Sequence, residues 1–354
     1  MPTTSVRRRR PPGKLLAAVL AGTAFSLTAP LAAGGAVDAS AGSTSSAATR
    51  ILGTPASGLP WHSGAWTGGR FSARHIAGFG DWRGRPADVV TTFSPRENYR
   101  TMMSETWSIR TWSGFPGRLN YGLALLPDSG EGSLSSIGAG HQDKVWRSVA
   151  QNLRAAGRGD SIVRVGWESN LPDWRWRATS GNADQYKAAY RRVVTTMRAV
   201  APDLRFEFGV ACGAGLSGSR DRLAPLTEVY PGDDVVDLVG CDTYDWWNTQ
   251  ASDEASWAGV LAPAHGPGIQ DVAAFARAHG KGASYAEWGL ATSSRAGGGG
   301  DNAFYIQSMH DFFRANRDVV VFECYFDEPA AYIANSMFGT GQNPRAAARY
   351  AKLW

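Results

Sequence analysis

The sequence has 354 residues, with 36 lysines and arginines against 31 acidic residues. Residues 1–50 hold six of the basic residues and one acidic residue, so the rest of the chain carries 30 of each. The absence of net charge after residue 50 gives no reason to expect a nucleic-acid or anionic-membrane partner. It suits a neutral or weakly charged ligand.

Residues 1–41 have the pattern of a secretory signal peptide. A basic region at 7–14 precedes an apolar stretch at 15–33, and the small residues at 39–41 offer a cleavage site. A glycine and a proline interrupt the apolar stretch too early for a comfortable membrane span. We therefore expect an extracellular protein without stable membrane association, exported by the Sec or the twin-arginine route. A retained N-terminal anchor is the alternative.

The remaining chain is predicted to contain a low-complexity linker at 42–58 and one domain at 59–354. Short apolar runs there predict eight strands, at 64–68, 87–93, 119–126, 161–167, 204–210, 235–241, 283–286 and 319–326. Amphipathic periodicity predicts helices at 141–156, 183–200, 269–279 and 302–316. Strands that alternate with helices indicate parallel βαβ units, and eight of them favour a closed (β/α)8 TIM barrel, an α/β fold.

The three cysteines, Cys212, Cys241 and Cys324, lack the spacing of a zinc or redox motif. A bridge between Cys212 and Cys241, which end neighbouring predicted strands, and three buried thiols are both compatible with the sequence. Clustered histidines are missing as well, so we predict neither a metal nor a cofactor.

Carboxylates at strand ends are the candidate catalytic groups, because functional groups in such barrels lie at the carboxyl ends of the strands. Glu168 follows the fourth predicted strand and Glu287 follows the seventh, roughly opposite in the ring. One protonated and one ionised carboxyl group can together cleave a glycosidic bond. Glu207, inside the fifth strand, is expected to be a wall residue, and Glu323, inside the eighth, to pair with an inward arginine.

Three motifs carry a resemblance to a known family: R-V-G-W-E-S-N at 164–170, D-x-Y at 242–244 and A-E-W-G at 286–289. The combination resembles barrel glycoside hydrolases with catalytic glutamates on strands 4 and 7. Within that clan it most resembles family 26, best known for β-mannanases. The resemblance covers roughly residues 60–350.

The resemblance implies Glu168 as general acid/base and Glu287 as nucleophile of a retaining double displacement. It also implies that the hydroxyl of Tyr244 hydrogen-bonds the nucleophile. The histidine that precedes the acid/base in the family is Trp167 here. The motif therefore indicates the chemistry more strongly than the substrate.

Further candidates surround the carboxylates. Tryptophans that follow strands suit sugar stacking, because a pyranose presents C–H faces to an indole. The candidates of this kind are Trp107, Trp174, Trp176, Trp246, Trp247 and Trp288. Asp242 completes the set at the end of the sixth strand. Arg164, in the middle of the fourth, is expected to brace the carboxylates from inside the barrel rather than to touch sugar.

Together these features predict a secreted, monomeric, endo-acting glycoside hydrolase that cleaves a β-linked polysaccharide, β-mannan or a related β-glycan. Its partner would be the polysaccharide or oligosaccharide substrate. Two alternatives stay open: a hydrolase of a bacterial envelope or capsular glycan on the same scaffold, and a carbohydrate-binding barrel without catalytic activity.

Overall fold

The computed structural model describes residues 46–294 and 297–354. Eight parallel strands close into one barrel in chain order, which confirms the predicted (β/α)8 fold. The strands are β1 His62–Trp66, β2 Val89–Phe93, β3 Arg118–Leu123, β4 Ile162–Val165, β5 Arg205–Ala211, β6 Leu238–Tyr244, β7 Gly282–Gly289 and β8 Val320–Phe326. The barrel closes where β8 pairs with β1. The predicted signal peptide at 1–41 lies outside the described residues.

Helices surround the barrel. They are α1 Ala47–Leu52, α2 Ala73–Arg83, α3 Tyr99–Ser104, α4 Trp107–Arg110, α5 Leu134–Gly138, α6 Asp143–Ala155, α7 Ala183–Arg198, α8 Ala224–Thr227, α9 Glu254–Leu261, α10 Ile269–Ala278, α11 Ala303–Ala315 and α12 Pro344–Leu353. The four helices predicted from periodicity correspond to α6, α7, α10 and α11. In α6, residues Val145, Val149 and Leu153 form the buried face, as steps of four along a helix require. No helix in the described part of the chain is long and apolar enough to cross a membrane.

The prediction of a linker at 42–58 needs correction for its described part. Ser46 caps α1 by accepting a hydrogen bond from the amide of Thr49 at 3.3 Å. Ala47 and Leu52 of this helix are buried in an apolar cluster with residues from β2, β4, β6 and β8. These residues therefore form part of the folded barrel domain, and burial of the two apolar side chains gives the short helix its stability.

Strands β6 and β7 extend three residues further at their carboxyl ends than predicted. Asp242, Tyr244, Glu287 and Trp288 therefore lie within strands rather than in the loops after them. Polar residues at a strand end look like a loop in the sequence, but here Asp242 and Glu287 bind Arg164 inside the barrel, and Tyr244 donates to Glu287. The strand ends thus carry the functional side chains on rigid backbone.

Cys212 and Cys241 form a disulfide, with their Cα atoms 5.7 Å apart. Of the two possibilities that the sequence left open, the bridged pair is therefore present, and Cys324 is a free, buried thiol. The bond ties the residue after β5 to the middle of β6, directly before Asp242. It thereby fixes one wall of the barrel mouth.

Candidate active site

Glu168 lies on a sharp bend directly after β4. Its backbone has a φ of 49°, and that of Gly166 is 58°, so two of three successive residues adopt the left-handed conformation. A Cβ atom at Gly166 would approach the side chain of Leu125 to 2.7 Å, so a larger residue there would displace Leu125 as well as strain the backbone. A glutamate in this conformation costs roughly 1 kcal/mol or more, and such strain is found where a side chain must be aimed at a functional site.

The Glu168 carboxyl lines a cavity of about 400 Å³ at the barrel mouth, together with Glu287, Trp167 and Trp174. The indole Nε1 of Trp174 donates a hydrogen bond to Oε2 of Glu168 at 2.9 Å. Burial, and next to it the negative charge of Glu287, raise the pKa of Glu168 to about 7, while the hydrogen bond from Trp174 acts in the opposite direction. Near neutral pH a large part of Glu168 is therefore protonated.

Glu287 is held at both carboxylate oxygens. Arg164 donates from Nη1 to Oε1 at 2.7 Å, and the Tyr244 hydroxyl donates to Oε2 at 3.0 Å. Both donors stabilise the charged form of the carboxylate and fix its plane. The contact that the family resemblance implied for Tyr244 is thus present.

A β-bulge aims Glu287 into the barrel. In a regular strand Tyr285 and Glu287 would share one face. Here the hydroxyl of Tyr285 donates a hydrogen bond to the carbonyl oxygen of Ile269 in α10, outside the barrel. The carboxylate of Glu287 instead accepts a hydrogen bond from Arg164 inside the barrel. The pairing of β7 with β8 shifts register between Tyr285 and Trp288, which is the point where the alternation breaks. Bulges beside active sites redirect side chains in this way.

Arg164 is the buried cation beneath this site, and Arg96 lines the cavity as well. Besides Glu287, Arg164 donates from Nε to Glu207 at 3.0 Å and from Nη2 to Asp242, and its side chain is fully buried. Burial raises the pKa of Asp242 well above its usual range and also raises that of Glu207, while the guanidinium opposes both shifts. Arg164 therefore braces the carboxylates from inside the barrel, as expected, and Glu207 is a wall residue.

Two of the six tryptophan candidates are not available to a sugar. Trp288 is fully buried, and its Nε1 donates to Oε2 of Glu323 at 2.6 Å, on the side of the sheet that faces α11 and α12. Trp176 is also buried, stacked on Trp174 at 4.9 Å, with its Nε1 bonded to the carbonyl oxygen of Trp167. The prediction of sugar stacking is wrong for both, because each packs into the protein.

Glu323 also differs from its prediction. It accepts hydrogen bonds from the indoles of Trp288 and Trp354 rather than from an arginine. The role is structural, as expected, but the partners are two tryptophans in the layer between the sheet and α12.

The remaining tryptophans lie at or near the barrel mouth. Trp174 is partly buried in the cavity of the two glutamates. Trp246 and Trp247 stack on each other at 4.9 Å and line a second cavity of about 190 Å³ with Glu168 and Asp242. Trp107 is 58 % exposed and contacts neither cavity.

The sequence reasoning missed six residues that line the larger cavity: Ser94, Pro95, Arg96 and Glu97 in the segment after β2, and two phenylalanines, Phe93 and Phe326. The two phenylalanines are the last residues of β2 and β8. The rule that strand ends carry functional groups could have found them, had it been applied to phenylalanine as well as to charged residues and tryptophan.

The chain is similar to known proteins over part of its length. No family model matches the chain. Two curated relatives match parts of it: endoglucanase H of Acetivibrio thermocellus is 28% identical over 193 residues, and a mannan endo-1,4-β-mannosidase of Bifidobacterium adolescentis is 32% identical over 125 residues. These alignments cover 53% and 34% of this chain but only 20% and 12% of the relatives, so the chain spans a fifth or less of their length.

Solved structures cover more of the chain. The catalytic domain of a family 26 endo-β-1,4-mannanase from a Bacillus species aligns with a TM-score of 0.58 and 16% identity, covering 84% of this chain and 86% of its own. An endo-β-1,4-mannanase double mutant of Cellulomonas fimi aligns with a TM-score of 0.56 and 19% identity, covering 77% of this chain and 65% of its own. At these identities the likeness concerns the fold.

The fold is thus shared with solved endo-β-1,4-mannanases, and the carboxylates lie at the strand ends, where such a barrel places functional groups. Family 26, which the three sequence motifs resemble, is the family named for two of the solved structures that share this fold.

Proposed function

We propose that the protein is a secreted, endo-acting glycoside hydrolase that cleaves a β-linked polysaccharide, β-mannan or a related β-glycan, by a retaining double displacement. The observation that carries this proposal is the pairing of Glu168 and Glu287 in one aromatic cavity, the first with a raised pKa and the second bonded to a cation. The mannanases and the endoglucanase among the relatives support the substrate class.

In the first step, protonated Glu168 gives its proton to the glycosidic oxygen while Oε1 or Oε2 of Glu287 attacks the anomeric carbon. The bond to the leaving sugar breaks and a covalent glycosyl ester of Glu287 forms. In the second step, ionised Glu168 takes a proton from a water molecule, which attacks the same carbon and releases Glu287. Two inversions at one carbon give net retention.

The surroundings of Glu287 suit both states of this cycle. When Glu287 becomes an ester it loses its charge, and Arg164 still has Asp242 and Glu207 as partners. The buried cation is therefore compensated throughout, and the nucleophile returns to the same two donors after hydrolysis. Such prearranged polar groups need little reorganisation during the reaction.

A screen of the purified protein against polysaccharides tests the proposal. The panel contains β-mannan, mixed-linkage β-glucan, β-1,3-xylan and a bacterial envelope glycan, with new reducing ends as the readout. We expect cleavage of β-mannan or one of the other β-glycans, and NMR of the first product should show the β-anomer. Cleavage of the envelope glycan alone would favour the second candidate, which the replacement of the family histidine by Trp167 permits. Glycan binding without any cleavage would indicate a non-catalytic barrel.

Secretion and oligomeric state are separate parts of the proposal. The basic and apolar pattern at 1–41 supports export. Mass spectrometry of the protein from the culture medium should find a mature chain that begins close to residue 42. In size-exclusion chromatography this chain should elute as a monomer. An uncleaved chain retained with the cells would contradict export.

The hydrogen bond from Trp174 to Glu168 makes a pH prediction. Phenylalanine at position 174 keeps an aromatic ring but removes the Nε1 donor that stabilises ionised Glu168. We expect the alkaline limb of the kcat/KM profile, which falls as Glu168 loses its proton near pH 7, to move upward by about 0.5–1 pH unit. The charged groups that act on Glu168, namely Glu287, Arg164, Asp173 and Asp242, are unchanged in this variant, and Arg96, which lies over the Trp174 ring, keeps an aromatic ring beneath it.

Trp176→Phe is the matched control for Trp174→Phe. It trims the neighbouring indole, whose Nε1 bonds to a backbone oxygen, and leaves the donor to Glu168 in place. We expect its alkaline limb to coincide with that of the wild type. An unmoved or lowered limb in Trp174→Phe would show that this hydrogen bond does not tune the acid.

A further inference from the structure

Arg96 lines the catalytic cavity, and its guanidinium lies over an indole that contacts Glu168. The residue belongs to the segment between β2 and α3, and its guanidinium carbon is 5.0 Å from the ring centroid of Trp174. Trp174 in turn donates from Nε1 to Glu168 at 2.9 Å. Because a cation is attracted to the face of an indole, Arg96 and Glu168 are connected through a single side chain.

The ring of Trp174 is packed mainly by its own segment, which follows β4. Trp176 stacks on it with ring centroids 4.9 Å apart, and Trp167 meets it edge to face at 5.2 Å. These two indoles would move together with Trp174 if the segment shifted. Arg96 comes from a different segment, so its contact ties the ring to the neighbouring wall of the barrel mouth.

Arg96 is itself held in place by the segment after β3. Its Nε donates to Oδ2 of Asp128 at 3.1 Å, and its carbonyl oxygen accepts a hydrogen bond from the amide of Asp128 at 2.6 Å. The amide of Ser129 donates to the carbonyl oxygen of Glu97 at 2.9 Å, so the two segments are joined along their backbones. The guanidinium therefore has a defined position from which to hold the Trp174 ring.

A second arginine fixes the backbone beside Trp174 but not the ring. Arg175, the next residue, donates to the carbonyl oxygens of Pro127 and Gly130, the latter at 3.0 Å. An anchored backbone still leaves an indole free to rotate about its own side-chain bonds. The direction of Nε1 is therefore decided by the groups that contact the ring itself, and Arg96 is one of them.

We propose that Arg96 is a positioning residue for the general acid/base: its guanidinium holds the Trp174 indole in the orientation in which Nε1 donates to the Glu168 carboxylate. The inference rests on the proposed function and adds to it a residue that lies outside the strand ends. Donation from Trp174 stabilises ionised Glu168, so loss of Arg96 should raise the pKa of Glu168, as loss of the donor does.

Other titratable and charged groups face Glu168 from β4 and its following segment, from β6, from β7 and from the segment of Arg96. They are Arg164, Asp173, Asp242, Tyr244, Glu287 and Glu97. All of them are unchanged in an Arg96 variant. The charge of Arg96 would also act on Glu168 directly across the cavity, and comparison in a background without the indole donor separates this effect from positioning.

Arg96→Met tests the inference because it keeps the length of the side chain and removes the cation. Carbon-13 NMR of labelled glutamate carboxyl groups, with the Glu168 resonance assigned by its loss in Glu168→Gln, measures the pKa of Glu168 in the free protein. We expect this pKa to rise by about 0.3–0.5 pH units, less than in Trp174→Phe because the indole remains. The alkaline limb of kcat/KM should move by the same amount. Arg96→Lys, which keeps a cation, should restore most of the wild-type value.

The double variant Arg96→Met/Trp174→Phe decides how Arg96 acts. If Arg96 works through the indole, adding Arg96→Met to Trp174→Phe should leave the pKa of Glu168 unchanged. An equal rise in both backgrounds would show a direct effect of the charge and overturn the inference. An unchanged pKa in Arg96→Met alone would overturn it as well, while the proposed function stands.

Arg100→Met is the matched control, because Arg100 is an exposed residue of the neighbouring helix α3. It removes one positive charge and should leave the pKa of Glu168 at the wild-type value; a rise as large as in Arg96→Met would contradict the inference. Arg96 and Asp128 are 41% and 58% exposed, so loss of their ion pair should leave the fold intact. If the wild type cleaves no glycan, the proposed function fails, and the NMR titration still decides whether Arg96 positions the indole.

Discussion

Replacing Glu287 by glutamine is expected to lower the rate of glycan cleavage by about 10³-fold or more, because the neutral amide is a poor nucleophile toward the anomeric carbon. The amide has the shape of the carboxylate, and its oxygen can still accept a hydrogen bond from Arg164, so the site keeps its form. Single-turnover assays of reducing ends measure the rate, and isothermal titration measures the affinity for the uncleaved oligosaccharide, which should stay near that of the wild type.

Comparison with Glu168→Gln separates the two roles. A substrate whose leaving group is a weak base, such as a nitrophenyl glycoside, needs no proton from an acid. Glu168→Gln should therefore retain the first step on that substrate and release a burst of nitrophenol, whereas Glu287→Gln should be inactive on it as well. Glu254→Gln, at an exposed position in α9, controls for loss of a carboxylate. A Glu287→Gln variant with more than a tenth of wild-type activity would contradict the assignment of the nucleophile.

Replacing Arg164 by methionine is expected to lower the free energy of unfolding by about 3–5 kcal/mol, because the carboxylates of Glu207, Asp242 and Glu287 then remain buried without their cation. The loss should be smaller at pH 5 than at pH 8. Burial holds the pKa of Asp242 and of Glu207 above the unfolded value, so the folded state binds protons more tightly. Stability of the variant therefore falls as the pH rises and these groups ionise. Urea unfolding at the two pH values measures both effects.

Arg191→Met provides the same substitution in an exposed ion pair. Arg191 and Asp234 lie 2.6 Å apart, with 43% and 64% of their side chains exposed, and such pairs contribute under about 1 kcal/mol. The loss in the free energy of unfolding for Arg164→Lys should lie between those of Arg164→Met and Arg191→Met. One ammonium group keeps the charge but cannot reach three carboxylates in the geometry of a guanidinium. An Arg164→Met variant as stable as Arg191→Met at pH 8 would show that the buried network is dispensable.

The strand-end rule predicted that Glu168 lies at the barrel mouth, and Glu168 lines the cavity there, although β4 ends at Val165, two residues earlier than predicted. The same rule pointed to Glu287 without showing how it faces inward. Its inward orientation depends on the bulge in β7, where the pairing with β8 shifts register. A register shift is a relation between two strands, so the letters of β7 alone cannot show it.

The tryptophans show most clearly what could not be predicted from the sequence alone. Trp288 neighbours Glu287 in the chain, and this proximity suggested a stacking role. The bulge turns it to the outer face, where the indole donates to Glu323 and packs against Trp354. Trp174 and Trp176 lie two residues apart in a loop, and only their packing on Trp167 decides that the first faces the cavity and the second is buried.

From the sequence alone we could predict the alternation of strands and helices, the barrel that follows from it, and two glutamates at strand ends, because these features depend on periodicity and position along the chain. The tertiary structure decided which side chains face the cavity, the network of Arg164, the disulfide and the role of each tryptophan. Those depend on register, bulges and contacts between residues distant in the sequence. An amphipathic indole can pack in a core or stack against a sugar, so only its neighbours in space show which of the two roles it has.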